Sequence, residues 1–108
     1  MTNFQNSSFS TVRSEIEKIC DLYRIAQIKL KNIDNRILNP SIGKTVVNKY
    51  RNYINTVELV LQCLNKEDAS LIRNAVIRKM PAEELGYSVT TYYSKYRRAA
   101  TSFLRYFL

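Results

Sequence analysis

The 108-residue chain is long enough for one modest hydrophobic core, and it carries a formal net charge of +8. Two glycines and two prolines are too few for an all-β fold with many turns. The helical patterns described below predict an all-α protein. The chain has no histidine and only two cysteines, so a zinc site and a histidine general base have no candidate residues. We therefore expect no enzyme activity and no cofactor.

The N-terminal residues 1–9 are polar and lack both a cationic start and an apolar run, so they are not a signal peptide. We expect this segment to be disordered. Nowhere does the sequence approach the roughly 20 consecutive apolar residues that a membrane-spanning helix needs. The prediction is a cytoplasmic protein with no membrane segment.

A long first helix is predicted from Ser10 or Thr11 to about Leu38, because apolar residues recur every three or four positions. The main stripe consists of Val12, Ile16, Ile19, Tyr23, Ala26, Leu30, Ile33 and Ile37. A second stripe, formed by Leu22, Ile25 and Ile28, lies beside it. So wide an apolar arc needs two neighbours. The helix is therefore either a core helix of one bundle or a dimerisation helix.

A second long helix is predicted after Pro40, because proline disfavours the helical conformation in the residue before it. Ser41 or Gly43 is its expected start. Its apolar positions are Val46, Tyr50, Tyr53, Val57, Val60 and Leu64, with Val47, Ile54 and Leu61 alongside. Residues 10–65 thus form a hairpin of long helices for core packing or dimerisation. Cys20 and Cys63 both fall within helical patterns, which favours buried free thiols over a disulfide.

The remaining residues, 66–108, begin with a helix that Asn65 caps, followed in its first turn by Glu67 and Asp68. Proline suits the first position of a helix, so a short helix is predicted from Pro81 to Leu85. Gly86 is expected to adopt positive φ in the turn that follows.

A long final helix is then predicted, with Ser88 as its cap. Tyr92, Tyr96, Ala99 and Phe103 recur at helical spacing and predict its buried face. No acid occurs in residues 86–108, which contribute four basic residues and therefore half of the net charge of +8. An acid-free helix with hydroxyls and cations on its outer faces is typical of a polyanion-binding surface.

The stretch from Ala82 to Ala99 carries a family resemblance. Its pattern is Ala-x-x-Leu-Gly-x-Ser-x-x-Thr-apolar-x-x-(Arg/Lys)-apolar-x-Arg-Ala. This pattern resembles the helix-turn-helix of sigma factor region 4, and Leu-Gly-Tyr-Ser-x-x-Thr-Tyr-Tyr resembles small ArpU-type phage transcriptional regulators more closely. The resemblance covers roughly residues 66–107. The helical patterns of the whole chain predict four main helices plus a short one, and the resemblance implies DNA recognition by the last helix. Pro81 departs from the pattern and predicts a shortened or kinked second helix.

The predicted DNA-binding residues lie in the first three turns of the last helix. They are Ser88, Val89, Thr90, Thr91, Tyr93, Ser94, Lys95, Arg97 and Arg98. The early positions are expected at base edges, where a recognition helix enters the major groove, and the cations at phosphates. Tyr93 either contacts DNA or packs against the supporting helix. The spacing of Tyr92 and Tyr96 favours the core over stacking on bases.

The sequence thus favours a DNA-binding transcriptional regulator that uses double-stranded DNA as its partner. The alternative is an RNA polymerase accessory or protein-interaction module that keeps the helix-turn-helix shape without reading DNA. RNA binding is less favoured, because no RNA-specific module signature appears. Homodimerisation through residues 10–65 and the C-terminal aromatic cluster fits either function. That cluster consists of Phe103, Tyr106 and Phe107.

Overall fold

The computed structural model describes residues 8–35 and 44–108, and most of these residues lie in helices. The helices are α1 (Phe9–Asn35), α2 (Lys44–Cys63), α3 (Lys66–Leu71) with its direct π-helical continuation (Ile72–Ile77), and α4 (Val89–Phe107). The described residues contain no strand, and the predicted all-α helical bundle is confirmed. None of these helices is long and apolar enough to cross a membrane.

One hydrophobic core joins all the helices. Its largest fully buried side chains are Tyr96, Phe103, Ile16, Leu61, Ile72, Leu104, Val12 and Val57. The predicted inner face of α4 is confirmed, because Tyr92, Tyr96, Ala99 and Phe103 are all buried. In α2, Val57, Val60 and Leu61 are buried. Val46, predicted for the same stripe, is 42% exposed, so the start of α2 extends beyond the shared core.

The start of α1 lies at Phe9, slightly before the expected Ser10 or Thr11. The Ser8 hydroxyl accepts the Thr11 N–H at 3.2 Å and caps the helix. The Phe9 ring packs edge-on against Tyr93 and Tyr96, with centroids 4.9 and 5.4 Å apart. Phe9 is therefore part of the folded domain, and the expectation of disorder was wrong for this residue. Residues 1–7 lie outside the described part of the chain.

The two apolar stripes of α1 have different environments. The main stripe is buried from Val12 to Ala26, as predicted. The second stripe remains exposed in the monomer, with Leu22 at 49%, Ile25 at 47% and Ile28 at 59%. The predicted continuation to Leu38, the break at Pro40 and the start at Ser41 or Gly43 lie outside the described residues.

The segment after α3 changes from α-helical to π-helical geometry at Ile72. The wider π-helical turn keeps Ile72 and Val76 buried. It ends with the Arg78 N–H donating to the Arg73 carbonyl at 3.0 Å, and Lys79 then adopts a positive φ of 56°. The positive φ of Lys79 ends the helical backbone and separates the π-helical segment from the turn that leads to α4.

A turn over residues 82–86 replaces the short helix predicted from Pro81 to Leu85. The N–H groups of Glu84, Leu85 and Gly86 each donate to the carbonyl three residues earlier, at 3.1 Å. The tight turn cannot extend backwards as a helix, because Pro81 lacks an N–H and its ring obstructs the preceding turn. Gly86 has φ +77°, which confirms the prediction of positive φ.

The two cysteines are free thiols, as predicted, but only Cys20 is buried. Burial raises the pKa of the Cys20 thiol to about 12, so this group stays protonated at neutral pH. The predicted burial of Cys63 was wrong. Cys63 is the last residue of α2 and is exposed there.

Replacing Gly86 with alanine should destabilise the fold through the backbone alone, because an added Cβ would meet nothing within 4 Å. The positive φ costs a residue with a Cβ about 1–2 kcal/mol, and we expect a loss of that order in the free energy of unfolding. Gly86→Asn should cost less, since asparagine tolerates this conformation. Urea denaturation of the two variants would test this, and equal losses would contradict it.

Candidate nucleic-acid interface

The start of α4 is fixed by a cap that uses two of the predicted DNA-binding residues. Ser88 has an extended backbone, and its hydroxyl accepts the Thr91 N–H at 3.3 Å. The hydroxyls of Ser88 and Thr91 also share a hydrogen bond of 2.9 Å. The prediction of Ser88 as the cap is confirmed. The two side chains therefore have a structural role at the helix start.

The first two turns of α4 present exposed side chains to solvent. Val89 is 66% exposed, and Thr90 and Ser94 are also exposed. These three side chains are uninvolved in the cap. Thr90 and Ser94 face away from the buried Tyr92, because each lies two positions, about 200°, from it around the helix. Val89 lies on the same side as Tyr92 and Tyr96 and is exposed as the first residue of the helix.

Tyr93 has an intermediate position, since it is 43% exposed and packs on one side against α1. Its contact there is the edge-on pair with Phe9. One of the two predictions for Tyr93 was packing against the supporting helix, α3. The ring packs against α1 instead. The exposed part of the ring borders a groove between α1 and α4. That groove is lined by residues of both signs, including Arg13, Glu17 and Lys18.

Lys95 and Arg98, predicted to contact phosphates, form ion pairs with the acids at the start of α3. Arg98 donates from Nη2 and Nε to Asp68 Oδ1 at 2.9 and 3.2 Å, and its Nη2 lies 3.5 Å from Glu67. Lys95 donates to Glu67. Asp68 is only 4% exposed, so its carboxylate needs such a partner. These contacts attach α4 to α3 and neutralise part of the positive charge of α4.

Arg97 lies between the groove and a second depression lined by Ser94, Arg98 and Arg105. Its side chain is half-buried and also interacts within the protein. Of the nine predicted residues, the structure thus leaves Val89, Thr90 and Ser94 with the most open outer surface. Tyr93 is shared with α1, and the remaining five have additional intramolecular contacts.

A polar cluster that sequence reasoning missed connects α1, α2 and the π-helical segment. Glu58 accepts hydrogen bonds from the Tyr23 hydroxyl and from Arg73, whose Nη2 lies 2.8 Å from Oε2. The hydrogen bond from Arg73 is the main cause of the lowered pKa of Glu58. A signal was present, because Glu58 is the only acid in residues 35–66 and lies next to the buried Val57.

Acid should destabilise the protein partly through this cluster. The folded-state pKa of Glu58 is below its ordinary value of 4.5, so its contribution is present above pH 4.5 and is lost as the pH falls through the lower folded value. We expect Glu58→Gln to be less stable at neutral pH but to lose less stability on acidification. Glu84→Gln, at an exposed carboxylate, is the control and should follow the wild type in urea titrations across this range. Equal acid sensitivity of Glu58→Gln and the wild type would contradict this role.

Comparison with known proteins identifies a related sequence. No family model and no solved structure matches the chain. The uncharacterized protein MG284 of Mycoplasma genitalium is 29% identical over 86 residues, which is 80% of this chain and 65% of that protein. The chain thus spans just under two thirds of the relative's length. The relative's name states no activity.

Proposed function

We propose that the protein is a transcriptional regulator that binds double-stranded DNA by inserting the first two turns of α4 into the major groove. The observation that carries this proposal is the exposure of Thr90 and Ser94 on a capped helix whose opposite face is buried, with Val89 exposed at its first residue. A recognition helix requires this combination, since its N-terminal residues reach base edges while the other face holds the domain.

The chemistry of the exposed side chains suits major-groove contacts. Val89 and the Thr90 methyl group match the methyl group of thymine, and the hydroxyls of Thr90 and Ser94 match base edges or phosphate oxygens. The first turn of α4 contains no acid, so the positive end of its dipole is open to an anion. Arg97 then contacts a phosphate further along the helix.

Rigid support of α4 strengthens the proposal. The aromatic pair between Phe9 and Tyr93 supports the helix from the α1 side, and the Arg98–Asp68 ion pair supports it from the α3 side. A helix fixed at both sides loses little conformational entropy on binding. In helix-turn-helix proteins, the helix that precedes the recognition helix gives this support. Here α1 and α3 provide it.

A protein-interaction module, such as an RNA polymerase accessory protein, is the second candidate. It is favoured by the reduction of the second helix to a turn and by the neutralisation of Lys95 and Arg98. Homodimerisation is compatible with both candidates. The exposed stripe of α1, Leu22, Ile25 and Ile28, is its best surface, because Phe107 of the aromatic cluster packs within the chain against Tyr53 and Phe103.

Binding to duplex DNA should depend steeply on salt. If six phosphates are neutralised, the logarithm of the affinity falls with the logarithm of the salt concentration with a slope of about −5. Fluorescence titration of mixed-sequence duplexes at several salt concentrations measures this slope. A response that is flat, or an absence of binding at low salt, would favour the protein-interaction module.

Thr90→Glu should weaken DNA binding about tenfold or more, because it places a carboxylate where the proposal places the groove. The fold should tolerate this change, since an acid in the first turn of a helix is favourable. Gln62→Glu is the matched control, because it makes the same charge change at an exposed position near the end of α2. Equal effects of the two substitutions would contradict the assignment of α4 as the recognition helix.

A further inference from the structure

The outward face of α2 carries a row of long polar side chains. Lys44, Asn48, Arg51 and Asn55 follow at intervals of four, three and four residues, so they share one face of the helix. All four are exposed. The opposite face carries the buried Val57, Val60 and Leu61, which fix its orientation. The row is therefore held toward solvent by the core.

Among the described residues, no acid neutralises the positive charge of this row. Lys44 and Arg51 form no ion pair in the described part of the chain, and neither does Lys49 beside them. Residues 44–57 contain no acid. The row thus differs from Lys95 and Arg98 of α4, which are paired with acids.

The position of Lys44 opposes helix stability. It lies in the first turn of α2, which contains no acid, and a cation there meets the positive end of the helix dipole at a cost of about 0.3–1 kcal/mol. A bound anion would offset both the dipole and the clustered cations. The arrangement is therefore unfavourable for folding alone and favourable for holding phosphate.

We infer that this row is a second DNA-binding surface, which holds phosphate groups of the duplex backbone while α4 occupies the groove. Lysine, arginine and asparagine side chains are typical phosphate donors. An acidic protein partner is less favoured, because the row has no apolar centre of the kind that protein interfaces bury. The inference rests on the proposed DNA binding and adds a contact that is remote from α4.

The row on α2 is remote from the start of α4. Tyr53 of α2 packs against Phe107 at the far end of α4, with ring centroids 6.1 Å apart. The 19 residues of α4 span about 28 Å, so this contact lies about that far along α4 from Val89. A phosphate contact by α2 would therefore add to the contacts of α4 and would not duplicate them.

The double variant Lys44→Gln, Arg51→Gln tests the inference through the salt dependence of binding. Each lost phosphate contact reduces the magnitude of the logarithmic slope by about 0.9, so the double variant should lose about 1.8. The control is Arg78→Gln, Lys79→Gln, which removes the same charge from side chains bonded within the protein to Asn74 and Asp21. The control should keep the wild-type slope. Circular dichroism checks that both variants are folded.

The outcomes separate the inference from the proposed function. Equal slopes for the wild type and both variants, or equally reduced slopes for both variants, would overturn the inference and leave DNA binding by α4 standing. An absence of wild-type binding would overturn both. If the α2 variant loses slope while Thr90→Glu binds normally, the phosphate contact by α2 holds, but the placement of α4 in the groove is overturned. If the α2 variant keeps the duplex affinity of the wild type but loses binding to polyglutamate, the inference is overturned in favour of an acidic protein partner.

Discussion

Burial of the inner face of α4 is the constraint on which the remaining arrangement depends. Tyr96 is 2% exposed and Phe103 is fully buried, and each such side chain contributes about 1.5–3 kcal/mol by leaving water. This burial fixes the rotation of α4 about its axis. Once the rotation is fixed, Thr90 and Ser94 must face solvent, while Lys95 and Arg98 must face α3. The exposed surface of the helix is thus a consequence of its core.

The electrostatics follow from the same constraint. The acids Glu67 and Asp68 are favourable at the start of α3, and the rotation of α4 places Lys95 and Arg98 next to them. The resulting ion pairs position α4 but reduce the charge that it offers to a polyanion. Lys44, Lys49 and Arg51 of α2 form no ion pair with the acids that the structure describes. Part of the positive charge without an acidic partner therefore lies on α2 and not on the last helix.

Features that depend on a few adjacent residues were predictable from the sequence. The caps by Asn65 and Ser88 and the positive φ of Gly86 are local, and so is the periodic burial of α4. Contacts between distant residues were not predictable in the same way. Lys95 and Glu67 are 28 positions apart, and Tyr23 and Glu58 are 35 apart. Whether such side chains meet depends on the relative placement of helices, which apolar spacing does not determine.

Pro81 affects both the element before α4, which is a turn in place of a helix, and the distribution of charge around α4. In a regular helix-turn-helix, the helix that precedes the recognition helix crosses the DNA backbone beside it. Here the proline limits the element before α4 to a single turn, and Glu83 and Glu84 in that turn are exposed acids that would repel phosphate. In the DNA complex that we propose, backbone contacts would therefore come from another part of the molecule. The outer face of α2 is exposed, acid-free and cationic, so it has the properties that the shortened element lacks.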